Sequence, residues 1–250
     1  MEKITSAANP AVKRLKTLLD AKGRKAENAF LVEGEVMIRE ALSCGLKPLE
    51  AFSENETELP GVPVRLCSRN VLEAISDTKT PQGIIAAFEL PERIQLPQNA
   101  KRLLALDGVQ DPGNIGTILR TADASGFEGV LAGQRSADVY SPKVQRAAMG
   151  SGFRVPVESC DLPQILAKYR AQGYKLVISA LDGVDLYQNK ADYRNQRLIL
   201  VIGNEARGVS PEVQALADIK LKIPMRGRAE SLNAAVAAGI LMYELTRPQP

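Results

Sequence analysis

Apolar residues recur along this chain with two different periods, and the alternation between them sets the architecture. Residues 10–20, PAVKRLKTLLD, place Val12, Leu15, Leu18 and Leu19 on one side of a helix, with lysines and arginines on the other. AFLVEG then reads as a short strand and EVMIREALSCG as a helix ended by Gly45, followed by strand-like PLEAFS, VPVRLCS and GIIAAFEL and a short helix near Asn70–Ile75. PERIQLPQNAK reads as a linker. From Arg102 the pattern becomes regular. RLLALDGV is a near-continuous apolar strand, of the kind buried on both faces of a parallel sheet. A helix over Asn114–Ser125 stopped by Gly126, a strand GVLAG, a helix over Pro142–Met149 capped by Ser141, and a strand VPVES follow. A helix over Leu162–Ala171, strands YKLVISAL and RLILVIG, a helix over Pro211–Leu216 and a last strand DIKLKI complete the series. Such alternation predicts an α/β domain with a mostly parallel sheet, whose ligands bind beyond the carboxyl ends of the strands. The expected division is 1–95 for the first domain, 96–101 for the linker and 102–250 for the second.

After the last strand, IPMRGRAESLNAAVAAGILMYEL passes from a strand exit through a polar turn into a helix rich in alanine. Ser231 stands where an N-cap belongs. The small residues Ala234, Ala235, Ala237, Ala238 and Gly239 allow close approach to other backbone, and Glu230, Ser231 and Asn233 gather at the helix start. Two further carboxyl-end loops are unusual: Asp111 to Arg120, where Asn114 can cap and Gly116 permits close approach, and Gly203-Asn-Glu-Ala-Arg-Gly208.

Composition mainly excludes. The 250 residues are 45% hydrophobic and 24% charged with a net charge of +3, enough chain for a sizeable core and no global polycation. Charge is uneven, however: residues 1–25 hold seven basic residues against two acidic ones, a local hint of nucleic acid. No histidine is present, so Ser-His and Cys-His catalysis are excluded, and with no close cysteine pair a zinc site is not expected. Cys44, Cys67 and Cys160 read as reduced thiols of a cytoplasmic protein; no signal peptide or membrane-spanning run is visible. GNEARGVS lacks the Gly-Lys-Ser/Thr ending of a phosphate loop, and no strand leads into G-x-G-x-x-G.

Taken in order, NIGTILRTADASGF, LVIGNEARGVS and IPMRGRAESLNAAVAAGIL resemble the three motifs of the SpoU/TrmH family, RNA ribose 2′-O-methyltransferases of the SPOUT class. SPKVQRAAMGSGFRVPV is similar to the segment between the first two. FLVEGEVMIREAL and TPQGIIAAFEL resemble the small ribosomal-protein-like RNA-binding domain that many members carry. The resemblance implies an α/β fold with a deep trefoil knot, a homodimer with the site at its interface, and bound S-adenosylmethionine without metal. Carried over, the cofactor loops are Ala180-Leu181, Ile202-Gly203, and Ile223 to Met225 with Leu232. The same resemblance assigns Arg120 to the target hydroxyl and its neighbouring phosphate, Asn114 to placing ribose and phosphate, Glu205 to orienting the arginine or the cofactor loop, and Ser231 and Asn233 to completing the site. RNA would be gripped by the basic N-terminal helix, with Lys13, Arg14, Lys16, Arg24 and Lys25 as candidates. A substrate-binding domain and an end at Pro250 point to large-subunit ribosomal RNA. Two other readings stay open: a non-catalytic RNA-binding or ribosome-assembly protein, and the same chemistry on transfer RNA.

Overall fold

A computed structural model describes residues 3–91, 95–189, 193 and 196–247; within the linker, residues 92–94 lie outside the described set, as does the C-terminal end at 250. The N-terminal half runs α1 (Pro10–Thr17), α2 (Ala21–Glu27), β1 (Ala29–Glu33), α3 (Glu35–Ser43), β2 (Pro48–Ser53), β3 (Val64–Leu66), α4 (Arg69–Ile75) and β4 (Ile84–Glu89). It continues through β5 (Arg102–Asp107), α5 (Pro112–Ser125), β6 (Gly129–Gly133), α6 (Pro142–Ala148), α7 (Ser151–Arg154), β7 (Val157–Cys160) and α8 (Leu162–Ala171). The C-terminal part is β8 (Lys175–Asp185), β9 (Leu198–Gly203), α9 (Pro211–Gln214), β10 (Ile219–Lys222) and α10 (Ala234–Thr246). Two compact units result. One gathers the N-terminal elements together with Asp138–Phe153, and the other gathers the remaining described residues.

In the first unit a four-stranded sheet has the order β1-β4-β2-β3, with β4 antiparallel to both neighbours and β2 parallel to β3. Strand alternation sorts its two cores. Ala29 and Leu31 of β1 point to Val12 and Leu15 of α1 and Val71, Leu72 and Ile75 of α4. Phe30 and Val32 face Ile38 and Ala41 of α3, with Tyr140 and Phe153 packed on the same side. The predicted helix over 10–20 is shorter than expected: α1 ends at Thr17, and Asn9, not a residue within it, caps it through the Ala11 amide. A separate helix, α2, follows, because the chain turns at Leu18–Asp20, whose Leu18 and Leu19 carbonyls are held by the Arg24 guanidinium at 2.7 and 2.9 Å.

The second unit holds six parallel strands in the order β10-β8-β9-β5-β6-β7. Leu103, Ala105, Ile199, Val201, Leu176 and Ile178 face Leu162 and Leu166 of α8 and Val213 of α9. α10 packs along α5 and touches β9. Its buried stripe, Ala235, Ala238, Leu241, Met242 and Leu245, is slim at the start and bulky towards the end. Strand order places β5 and β9 side by side at the centre, so the loops that leave their carboxyl ends emerge together.

Candidate active site

Two helix starts differ from the sequence expectation, and both differences build the site. Asn114 does not cap α5. Asp111 does, accepting the Asn114 backbone N–H at 2.9 Å, with Pro112 at the first helical position. That leaves the Asn114 side chain free. Likewise Asn233, not Ser231, caps α10, its Oδ1 accepting the amides of Ala235 and Val236 at 2.9 and 3.2 Å. Its Nδ2 is then free to donate to Asn114 Oδ1 at 2.8 Å. Asn114 Nδ2 in turn donates to Glu205 Oε1 at 3.0 Å. A continuous chain, Asn233 to Asn114 to Glu205, therefore ties the starts of α5 and α10 to the loop after β9.

The 203–208 loop is fixed from within. Asn204 and Gly208 exchange two backbone hydrogen bonds of 2.9 Å each, and Asn204 Oδ1 accepts from the amides of Ala206 and Arg207. Asn204 Nδ2 donates to the Gly108 carbonyl at 2.8 Å. Such a fold-back requires a residue without a side chain at 203: a Cβ there would stand 2.2 Å from the Gly208 carbonyl carbon. Glu205 is aimed back at the loop after β5, where its carboxylate accepts the amides of Gln110 and Asp111 at 3.2 Å each. Partial burial raises its pKa, but the hydrogen bonds from Asn114 and from the backbone outweigh that, so the carboxyl titrates below its ordinary value of 4.5. It is an anion at neutral pH.

Beside this network lies a cleft of about 480 Å³. Its first wall comes from β8, whose pairing with β10 shifts register: Ile178 pairs with Lys220, yet Val184 pairs with Leu221. Residues 179–183 are thereby pushed out of the ladder, a bulge of the kind that re-aims side chains next to sites. Gly183 lets the loop return, since a Cβ there would be 2.7 Å from Lys220 backbone. Ala180 and Leu181 from this bulge, Ile202 and Gly203 from β9, Ile223 and Met225 after β10, and Leu232 before α10 all line the cleft. Leu181 and Leu232 are its open lip, 68% and 36% exposed. Polar groups of Ser179, Asp182, Glu205, Glu230 and Ser231 also line it. Of these, Ser179 and Asp182 are not legible as site residues in the sequence, because only the register shift brings them to the cleft.

Of the five residues expected to act on RNA, Asn114, Glu205 and Asn233 are joined, and Ser231 lines the cleft with Glu205. Arg120 stands apart from them, exposed on α5 with no hydrogen-bond or ion-pair partner among the described residues. In the first unit, Lys13, Lys16 and Lys25 are exposed. Arg14 is engaged by Glu50 and by Glu27. Arg24 is only 3% exposed, and its guanidinium holds Asp138 at 2.7 and 2.8 Å in addition to the two carbonyls. Among the described residues no cluster of histidine, cysteine or carboxylate could hold a metal, and no helix is long and apolar enough to cross a membrane.

Residues 101–243, which carry all three loops, match the SpoU rRNA Methylase family, and residues 9–86 match the MRM3-like substrate binding domain. The chain belongs to the SpoU rRNA methylase family. Among its relatives is a 23S rRNA (guanosine(2553)-2'-O)-methyltransferase of Bacillus subtilis (strain 168), 39% identical over 98% of this chain and 99% of that one. An AdoMet-bound rRNA methyltransferase from Sinorhizobium meliloti superposes with a TM-score of 0.89 at 33% identity, covering 98% of this chain and 97% of that one. AviRb, a SpoU methyltransferase from Streptomyces viridochromogenes solved in complex with AdoMet, gives 0.85 at 29% identity over 96% and 97%. This SpoU protein is thus similar to such chains along nearly its whole length.

Proposed function

We propose that this SpoU protein methylates a ribose 2′-hydroxyl of 23S-type ribosomal RNA, using S-adenosylmethionine held in the cleft between the 179–183 bulge, the 203–208 loop and the approach to α10. The observation that carries the reading is the hydrogen-bonded chain Asn233–Asn114–Glu205, which ties the start of α5 to the 203–208 loop and the start of α10, the two segments that line the cavity. The cleft suits the cofactor: its size is that of a small-molecule site, and it joins an apolar wall to backbone groups and a polar rim. Bound there, S-adenosylmethionine supplies an electrophilic methyl group.

The chain's own residues would do the rest. Ile202, Ile223, Met225 and Leu232 offer an apolar bed for a purine, and exposed amides of the loops read its edge. Glu205 keeps the β5 and β9 loops in register and holds the Asn114 amide, so that Asn114 is pre-set towards ribose and phosphate. A guanidinium offers donors and no acceptor, so the role of Arg120 is to hold a phosphate and favour the developing alkoxide rather than to act as a bulk base. Ser231 and Asn233 complete the polar rim at the start of α10.

Three further parts belong to this proposal. The C-terminal segment passes through a loop as a deep trefoil knot, for which the slim Ala235–Ala238 portion of α10 leaves room. The protein works as a cytoplasmic homodimer with the site at the interface, supported by Val236 and Tyr243 exposed on α10 and by the unpartnered Arg120. The N-terminal unit recruits the RNA with Lys13, Lys16 and Lys25 as phosphate contacts. Calorimetric titration with S-adenosylmethionine tests the core of the reading. Micromolar binding that Leu232→Glu removes is expected, followed by mapping of the methylated nucleotide in 23S rRNA. RNA binding that is indifferent to S-adenosylmethionine and survives Arg120→Ala would instead identify a non-catalytic RNA-binding protein, and a methylated tRNA nucleotide would move the target.

A further inference from the structure

The arginines of the second unit differ in how far they are engaged. Several away from the carboxyl edge are engaged: Arg154 with Asp123 at 2.8 Å, Arg170 with Asp218 at 3.1 Å, Arg197 over the Tyr174 ring at 5.2 Å. In the loops at the carboxyl edge, Arg135, Arg207, Arg226 and Arg228 are exposed and have no ion-pair partner among the described residues. One of them is also fixed in place. Arg135 lies in the loop after β6, and a Cβ on Gly108 would stand 3.7 Å from the Arg135 Cβ and 3.9 Å from the Asn204 Cβ. Arg135 therefore sits across the β5 loop from the residue that organises the 203–208 loop.

Its neighbour straps it there. Ser136 Oγ donates to the Leu106 carbonyl at 3.0 Å and accepts the Gly108 amide at 3.2 Å. Next along, the Ala137 amide donates to the Val109 carbonyl at 2.9 Å. These bonds run along the strand exit whose next two residues, Gln110 and Asp111, give their amides to Glu205. Here the backbone is pinned immediately after the arginine through Ser136 and Ala137, no ion-pair partner neutralises the charge among the described residues, and the side chain is exposed.

From this we propose that Arg135 is a substrate-positioning residue that grips a backbone phosphate of the RNA next to the target ribose. The assignment rests on the RNA-methyltransferase reading given above. A planar guanidinium on a pinned loop suits a phosphate, for which arginine provides two parallel donors. Because it holds the strand and not the reacting atoms, its effect falls on RNA affinity and leaves cofactor binding alone.

The test uses the full chain and an unmodified 23S rRNA transcript, with binding measured by filter retention across a potassium chloride series. Arg135→Ala is expected to weaken RNA binding about tenfold and to lower the salt slope by roughly one phosphate contact. KM for RNA should rise while kcat, the calorimetric affinity for S-adenosylmethionine and Tm stay at wild-type values. Arg135→Lys keeps the charge and should restore the salt slope, and Lys168→Ala, on α8, serves as the neutral control. Wild-type slope and KM in Arg135→Ala would overturn the assignment, as would a defect that Lys does not relieve and that follows a fall in Tm. Loss of slope in a protein that transfers no methyl group would sustain Arg135 and sink the methyltransferase reading instead. Normal transfer with no effect of Arg135→Ala would do the reverse.

Discussion

Arg120 and Glu205, assigned to one site in the proposed function, sit in opposite environments. Arg120 is exposed and unpartnered, so nothing in the protein consumes its donors before RNA arrives. Arg120→Ala should lower methyl transfer by at least about a hundredfold, the range of a lost electrostatic contact to a developing charge. Calorimetric affinity for S-adenosylmethionine should be unchanged, because the cleft is lined by other residues; loss of both together would place Arg120 in the cofactor site. Glu205, by contrast, is fully engaged by two amides and the Asn114 side chain. Its folded pKa lies below the ordinary 4.5, so its contribution to loop closure is complete above that value and is lost as pH falls through the lower folded value. Between neutral pH and about pH 5, Glu205→Gln and wild type should show parallel stability profiles, and only the wild type should lose this contribution in the more acid range. Parallel profiles through the acid range, measured by denaturant midpoints, would mean that the carboxylate does not hold the loops. Arg120, Asn114, Glu205, Ser231 and Asn233 could be nominated from motifs, but their connections could not. Asp111 and Asn114 are both good cap residues, and the signal that separates them is Pro112, which favours the first helical position and so makes Asp111 the cap.

At the scale of elements, apolar periodicity was a good guide where packing decides and a poor one where backbone closure does. The helix over Leu162–Ala171 and the parallel strands follow from buried stripes and continuous apolar runs. The bulge at 179–183 follows from no such pattern: Asp182-Gly183 within SALDG signals a turn, but a turn signal does not by itself mark a register shift inside a strand. The cleft walls are invisible for a related reason: alanine, leucine, isoleucine and glycine look the same in a core as in a cofactor site. Only the family resemblance singled them out. Glycine 203 is the element-scale test of this geometry. Gly203→Ala drives a methyl group into Gly208 and Val209 backbone, at 2.2 and 2.3 Å, where no flexible side chain can yield. Overpacking of this kind costs about 1–3 kcal/mol. The expected result is a lower Tm together with weaker S-adenosylmethionine binding, because the displaced loop is also a cleft wall. Wild-type binding in that variant would mean that the loop opens without disturbing the cofactor.

For the molecule as a whole, the sequence invites a cut near residue 95, between a substrate-binding match over 9–86 and a methylase match over 101–243. The physical units are not continuous in sequence, since Asp138–Phe153 packs with the N-terminal elements. What that segment provides can be named. Asp138 neutralises the buried Arg24, Arg146 pairs with Asp77, and Tyr140 and Phe153 lie 4.9 and 6.4 Å from the Phe30 ring. A fragment of residues 1–95 keeps the sheet and both helices of the α1–α4 face but loses all of these. Burying Arg24 without its carboxylate alone costs about 3–5 kcal/mol, a large share of the stability of so small a domain. The fragment should therefore unfold at markedly lower denaturant than the same unit does in the full chain, and Arg24→Met within the fragment should recover part of the loss by removing the orphaned charge. Denaturation followed by circular dichroism would decide it. A fragment as stable as the intact unit would mean that Asp138–Phe153 merely lies on the first unit, and residue 95 would then be a true folding boundary.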